Sequence, residues 1–345
     1  MKDRQAKWLA ILSVIFSGIM IFLFFGISKE DFVTLAEGRI AVTTFAGVGL
    51  YDGLEEIAQE RRAEIQEEIK KYLRVYLPED VDESNIKIET NYVKRTLNIE
   101  ISGADEAYLD SQPIVGSCNH IADENYWYEN GKVYFDIILD SVYEYDAFCE
   151  GNQLIVKFLK PKELYDKIIV VDAGHGGNHP GTNRNDILEK DLTLDIVLYL
   201  KELLDESDIR VYYTRVDDTN PSFDERVQLA NQVEADYFVS VHINADEKSR
   251  TSNGTEALYY TRDVRSAKFS QICVDELSGK LGSRNRGISD GDSIYIIRNA
   301  KVPVTLLEVG FISNNEEFKL LCGDNYKKKA AEGIYNGILK AYQEK

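Results

Sequence analysis

The stretch that decides the fold is KIIVVDAGHGG, Lys167 to Gly177, an apolar run that breaks into glycines around a histidine. A short apolar run such as Lys167 to Val171 suits a strand buried on both faces. The same form recurs twice downstream. Tyr237 to Val241 opens YFVSVHINA and leads into His242, while Val304 to Leu307 opens VTLLEVGFISN and leads into Glu308. Each expected strand is followed by a side chain able to hold a metal or carry a proton. Open α/β sheets place their sites in the crevice beyond the carboxyl ends of the strands, so His175, His242 and Glu308 are expected at one location.

Between these strands the pattern turns helical. Leu192, Ile196, Leu200, Leu203 and Leu204 form one apolar stripe, which predicts a helix that packs on the sheet and holds Glu189 at its start. Ser222 and Glu225 after Pro221 read as a capping box for a helix carrying Val227 and Ala230, preceded by a strand from Arg210 to Thr214. Phe269, Ile272, Cys273 and Leu277 mark another helix, and Ala330, Ile334, Ile338 and Ala341 the last. Strands alternating with helices predict an α/β fold with an open, mostly parallel or mixed sheet and helices on both faces.

The residue types point to metal-assisted hydrolysis. A catalytic zinc takes three protein ligands of the histidine and carboxylate kind and keeps a fourth position for water. His175, Glu189 and His242 fill that count for one Zn²⁺ ion. Glu308 is then the carboxylate that takes a proton from water and returns it to the leaving amine.

The chain from about Lys167 to Tyr342 resembles the zinc-dependent N-acetylmuramoyl-L-alanine amidases of bacterial cell walls, amidase family 3. The matching stretches are DAGHGG, the PGT of Pro180 to Thr182, EKDLTL, the TR of Thr214 and Arg215, ERVQLAN, ADYFVSVHINA, GTEALYY, the RG of Arg286 and Gly287, and VPVTLLEVGFISNNEE. The resemblance implies that His175, Glu189 and His242 bind zinc and that Glu308 is catalytic. It implies hydrolysis of the amide joining N-acetylmuramic acid to the first L-alanine of the peptidoglycan stem peptide. One departure is His179, which stands where the family commonly has Asp and competes with His175 as a ligand. His175 is preferred because it directly follows the strand between glycines that permit a tight turn. A zinc peptidase cutting within the stem would use the same ligands, and a noncatalytic wall-binding or regulatory protein is the alternative from another class. Arg286 suits either a stem-peptide carboxylate or a surface ion pair, and Asn244 stays outside the catalytic set.

The N-terminal half reads differently. Trp8 to Ile27 is uncharged and long enough to span a bilayer core. Lys2, Arg4 and Lys7 precede it, so the expectation is an uncleaved single-pass anchor with the body outside, facing the wall. The expected organisation is a cytoplasmic tip and anchor over 1–28, an extracellular helix plus a small α+β or β-rich domain over 29–160, and the catalytic domain over 161–345. Leu54, Ile57, Ala58, Ile65, Ile69 and Tyr72 fall on one helical face. Ile86 and Ile88, then Leu97, Ile99 and Ile101, then Val133, Phe135 and Ile137 alternate as half-buried strands do. Tyr126, Trp127 and Tyr128 precede the hairpin pair Asn130-Gly131. These aromatics suit hairpin packing first and sugar stacking second.

Across 345 residues the formal net charge is -19, which excludes nucleic acid as a partner because phosphate neutralisation needs a basic surface. Peptidoglycan and the membrane are the expected partners. The cysteines at 118, 149, 273 and 322 lack CxxC pairing, and Cys118 with Cys149 is the disulfide to test. The short polar loop from His242 to Gly254 predicts a site open without an activator.

Overall fold

The computed structural model describes residues 70–345 except 112 and 115–117, together with positions 59, 61–63 and 67. The anchor expected over Trp8 to Ile27 and the helical positions Leu54, Ile57, Ala58, Ile65 and Ile69 lie outside the described residues. Among the described residues no helix is long and apolar enough to cross a membrane. Tyr72, expected on the amphipathic helix, instead opens a strand, because Leu73 and Val75 alternate inward with period two.

The first part is all antiparallel: β1 (Tyr72–Tyr76), β2 (Ile86–Asn91), β3 (Thr96–Ser102), a helical turn α1 (Glu106–Asp110), β4 (Ile121–Glu129), β5 (Lys132–Leu139), β6 (Glu144–Glu150) and β7 (Gln153–Leu159). They form two sheets, β1-β7-β6 and β2-β3-β5-β4. Alternation decides which face is buried. Ile99, Ile101, Val133, Phe135 and Ile137 from one sheet and Leu73, Val75, Leu154 and Val156 from the other share one core. The expected hairpin is present, with Asn130 at φ 53° and Gly131 at φ 78°, the left-handed pair that matches strand twist. Cys118 and Cys149, the pair singled out for a disulfide test, both pack against this core as free thiols. Burial pushes both thiols above their ordinary pKa.

After α2 (Pro161–Leu164) the chain becomes α/β. It runs through β8 (Ile168–Ala173), the small hairpin β9 (Asn183–Arg184) and β10 (Ile187–Leu188), α3 (Glu189–Leu204), β11 (Arg210–Tyr213), α4 (Phe223–Gln232) and β12 (Tyr237–Asn244). It ends with β13 (Thr255–Tyr259), α5 (Val264–Leu281), β14 (Asn285–Asp290), α6 (Tyr295–Asn299), β15 (Val304–Phe311), α7 (Asn315–Leu321) and α8 (Asp324–Gln343). The six-stranded sheet has the order β11-β8-β12-β15-β13-β14. Its first four strands are parallel and β13 runs antiparallel to β15, so the sheet is mixed but mostly parallel, as the sequence predicts. Every side chain of β8 is buried, which explains why that strand reads as a continuous apolar run. One face packs Leu192, Ile196 and Leu200 of α3 with Phe269 of α5 and Ile334 of α8; the other packs Val227 and Ala230 of α4 with Ile296 and Ile297 of α6. Ser222 and Glu225 make the expected capping box at the start of α4.

A buried carboxylate joins the antiparallel part to edge strand β11. Glu144 accepts hydrogen bonds from Tyr92 Oη (2.8 Å), Arg210 Nε (2.9 Å) and Tyr212 Oη (2.5 Å). The Tyr92 ring also meets Tyr212 edge to face at 5.0 Å. These contacts tie the antiparallel part to the side chains of the edge strand β11. Glu144→Gln should lower stability by about 1–3 kcal/mol, because the substitution removes the charge that compensates the half-buried Arg210. Urea unfolding with an unchanged midpoint would show that the carboxylate contributes nothing.

Candidate metal and catalytic site

Four elements bring the site together. His175 follows β8 after Gly174, and Glu189 is the first residue of α3. His242 and Glu308 do not follow their strands as expected but lie inside them, because β12 and β15 continue past their apolar runs. The two face each other directly in the β12–β15 register. Neighbouring strands lie about 4.8 Å apart, so the register alone fixes Glu308 beside His242.

One ligand atom from each of His175, Glu189 and His242 lies within 4.8 Å of the others. Glu189 sits between the imidazoles, with Oε2 3.1 Å from His175 Nε2 and Oε1 3.0 Å from His242 Nδ1. Metal–donor bonds of about 2.0–2.2 Å arranged tetrahedrally separate their donors by roughly 3.5 Å. The three side chains are therefore spaced to hold one ion. Backbone N–H groups of Thr182 (2.8 Å) and Ile243 (3.0 Å) also donate to Glu189 and fix its carboxylate plane. Burial would raise the Glu189 pKa, but the hydrogen bonds and charge of both histidines outweigh it, so the group stays ionised well below the usual range. His175 and His242 are only half-buried, so the group is reached from solvent.

Glu308 behaves in the opposite way. Burial pushes its pKa well above the ordinary value, with the negative charges of Glu189 and Glu256 adding to the effect. Its Oε2 is buried without a hydrogen-bond partner. An orphaned carboxylate oxygen in a packed strand costs free energy and calls for a functional reason. Glu256 lies opposite Glu308 on β13 and pairs with Arg286 (3.2 Å), so in this structure Arg286 makes the ion pair that was one of its two expected roles. His179 is exposed, exchanges backbone hydrogen bonds with Gly176 and stands outside the ligand group. Asn244 ends β12 and receives the Ile312 N–H on its backbone carbonyl.

Some functional residues carried no role in the sequence reading. Asp172 is fully buried and accepts from Thr214 Oγ1 (2.5 Å), Ser240 Oγ (2.5 Å) and Arg226 Nη1. Burial works against its charge, yet Arg226 and the two hydroxyls hold its pKa below the ordinary value. Arg226 also donates to the backbone carbonyls of Ala173 (2.9 Å) and His175 (2.7 Å), and Arg215 to those of Ala173 (2.9 Å) and Gly174 (2.9 Å). Two buried guanidinium groups thus brace the turn that presents His175. The available signal was charge inside apolar segments: Asp172 at the end of IIVV and Arg226 on the packed face of α4.

Two glycines are required by contact. A Cβ at Gly174 would come within 2.5 Å of the His242 imidazole, and one at Gly181 within 2.4 Å of Glu189 Oε2. No helix interrupts the chain between β12 and β13, in keeping with the short polar loop expected there.

An α/β sheet that carries a His-Glu-His group able to hold a metal ion, with a carboxylate on the neighbouring strand, has the parts of a metal-dependent hydrolase. Comparison with known proteins names the class further. Residues 169–340 match the family described as N-acetylmuramoyl-L-alanine amidase. The germination-specific N-acetylmuramoyl-L-alanine amidase of Bacillus subtilis (strain 168) is 34% identical over 196 residues, 53% of this chain and 82% of that protein. N-acetylmuramoyl-L-alanine amidase LytC of the same organism is 34% identical over 51% of this chain but only 35% of its own length. A crystal structure of N-acetylmuramoyl-L-alanine amidase from Clostridium difficile 630 is 33% identical, with a TM-score of 0.50, covering 52% of this chain and 98% of that one. The chain belongs to the N-acetylmuramoyl-L-alanine amidase family and is a cell-wall hydrolase acting on peptidoglycan.

Gly174→Ala should drive the His242 ring off Glu189 and lower amidase activity by about 10²-fold, as displacements near 1 Å do. Circular dichroism should remain native. Full activity in the variant would show that the imidazole has room to spare.

Proposed function

We propose that this amidase holds one Zn²⁺ on His175, Glu189 and His242, uses Glu308 to move the proton, and works from a single-pass membrane anchor on the outer face of the membrane. The observation that carries the reading is the coincidence of three converging donors with a buried, unpartnered carboxylate one strand away. A zinc ion there supplies a Lewis acid and a water acidic enough to yield hydroxide near neutral pH.

The chain's own residues divide the remaining work. Glu189 is fixed by Thr182 and Ile243, and in turn sets the orientation of both imidazoles. Gly174 leaves His242 the space it occupies. Glu308 accepts the proton of the attacking water through its free oxygen and returns it to the amine of L-alanine as the amide breaks. A carboxylate whose pKa is raised by burial holds a proton more readily than an exposed one, which suits a group that takes a proton and gives it back. The products are the glycan strand and a stem peptide beginning with alanine.

The proposed organisation keeps 1–28 as cytoplasmic tip and anchor, 29–160 as an extracellular region ending in the β-rich part, and 161–345 as the catalytic domain. The uncharged run Trp8 to Ile27, preceded by Lys2, Arg4 and Lys7, supports that orientation. With a net charge of -19 the protein is repelled by an anionic wall, and the anchor offsets this by raising the local concentration at the substrate.

The protein should release stem peptides with a free N-terminal alanine from purified peptidoglycan, detected by mass spectrometry, only when zinc is restored after chelation. Shortened stems still attached to sugar would mean a peptidase instead. Glu308→Gln should retain zinc and lose at least about 10²-fold in rate, whereas His242→Ala should lose the metal, as read by atomic absorption. Equal zinc loss in both variants would overturn the division of roles.

A further inference from the structure

We infer that the exposed pair Phe223 and Tyr295, together with the amides of Asn178 and Asn220, forms a subsite for the N-acetylhexosamine next to the muramic acid being processed. This inference rests on the amidase activity but not on the zinc assignment.

Phe223 is 63% exposed and Tyr295 38% exposed, although each begins a helix whose other apolar residues pack inward. Their rings are stacked, with centroids 6.2 Å apart and planes at 28°. Tyr295 is further steadied by a hydrogen bond from its hydroxyl to Asp224 (3.3 Å). Large apolar groups left in water but held in a defined arrangement mark recognition surfaces. Neither ring contributes to the buried core.

Their position ties them to the site. Helix α4 packs on β8 and α6 packs on β15, the strands that deliver His175 and Glu308. Arg226, three residues after Phe223 and so about 4.5 Å further along the helix axis, donates to the backbone carbonyl of His175 (2.7 Å). The segment just before Phe223 lies against the His175 loop: Asn220 Nδ2 donates to Asn178 Oδ1 (3.1 Å), and a Cβ on Gly176 would strike the Thr219 carbonyl at 2.0 Å. The aromatic pair thus stands on the rim beside the turn that presents His175.

The chemistry of this rim favours sugar over peptide. The scissile amide has a glycan strand on one side and a charged stem peptide on the other. A pyranose presents a face of C–H groups, which carry slight positive charge and pack on the negative face of an aromatic ring. Acetamido groups need a neutral donor and acceptor, and each asparagine retains one not used in the bond between them. Asp218 on the same rim is already paired with Lys190 (2.7 Å). On the opposite side of the site, the β13–β14 edge carries the charged pair Glu256 and Arg286. The stacked rings and the asparagine amides fit the strand, and the β13–β14 edge with its Arg286 guanidinium is left to the peptide.

The test uses the double variant Phe223→Ala, Tyr295→Ala, the rescue variant Phe223→Trp, and two substrates: polymeric peptidoglycan and the single-sugar compound N-acetylmuramoyl-L-alanyl-D-isoglutamine. The double variant should raise KM on the polymer by about fivefold or more with kcat retained, the signature of lost binding common to ground and transition states. Turnover of the single-sugar compound should be unchanged, and Phe223→Trp should keep the KM of the unaltered protein. Tetra-N-acetylchitotetraose should bind the unaltered protein by calorimetry and bind the double variant at least about fivefold more weakly. That binding is read without turnover, so a failure of the catalytic reading would not mask it. Equal losses on both substrates, an unchanged KM on the polymer, or no oligosaccharide binding by the unaltered protein would each overturn the subsite.

Discussion

Arg226 and Asp172 meet where water does not reach, and the whole active edge of the sheet depends on their pairing. Each ion alone in that position would cost several kcal/mol of desolvation, so each is tolerable only with the other and with its further hydrogen bonds. Those hydrogen bonds are informative. Thr214 comes from the end of β11, Ser240 from β12 and Arg226 from α4, so one carboxylate ties two neighbouring strands and a helix to β8. The same guanidinium holds the His175 carbonyl. Such a network adds little net stability compared with an apolar core, but it holds the backbone path through Ala173, Gly174 and His175, and a site side chain has to be placed to within a fraction of an ångström.

The rest of the site follows from sheet geometry. Parallel pairing in register places His242 beside Glu308, and the start of α3 brings Glu189 between the two histidines. The two carboxylates then diverge in character. Glu189 is surrounded by donors and stays charged, while loss of water and the negative charges of Glu189 and Glu256 raise the pKa of Glu308. Two glutamates with pKa values pushed in opposite directions are suited to different tasks, one to a charged role and the other to proton transfer.

The antiparallel part does more than precede this site. Its Glu144 receives Tyr92 from its own side and Arg210 and Tyr212 from β11, and Lys94 pairs with Glu225 in the first turn of α4 (2.5 Å). Glu225 also completes the cap of the helix that carries Arg226 and Phe223. The β-rich part therefore supports the catalytic sheet at an edge strand and at a helix that braces the His175 turn.

Much of this was legible in the residues themselves. Continuous apolar runs mark strands covered on both faces, and β8, β12 and β15 are so covered; period-two alternation marks half-buried strands, and β3 and β5 bury every second side chain. Glycine, histidine and carboxylate at the ends of those runs were enough to indicate a metal hydrolase, because few side chains can perform that chemistry. Pattern could not give what depends on partners distant in the chain. Tyr72 continued a helical stripe by spacing but pairs with Lys157 in a sheet, since strand pairing is decided by a segment some eighty residues away. Asp172, Arg215 and Arg226 stood in the matching stretches without a role until the fold buried them together, and the close approach of His242 to Gly174 is visible only in three dimensions. The sequence by itself determined the local structures and the chemical inventory, through propensity, periodicity and residue type. The tertiary structure alone decided which groups lost water, which charges met and which carboxylate was left unpartnered, because desolvation and pairing are properties of a position in three dimensions.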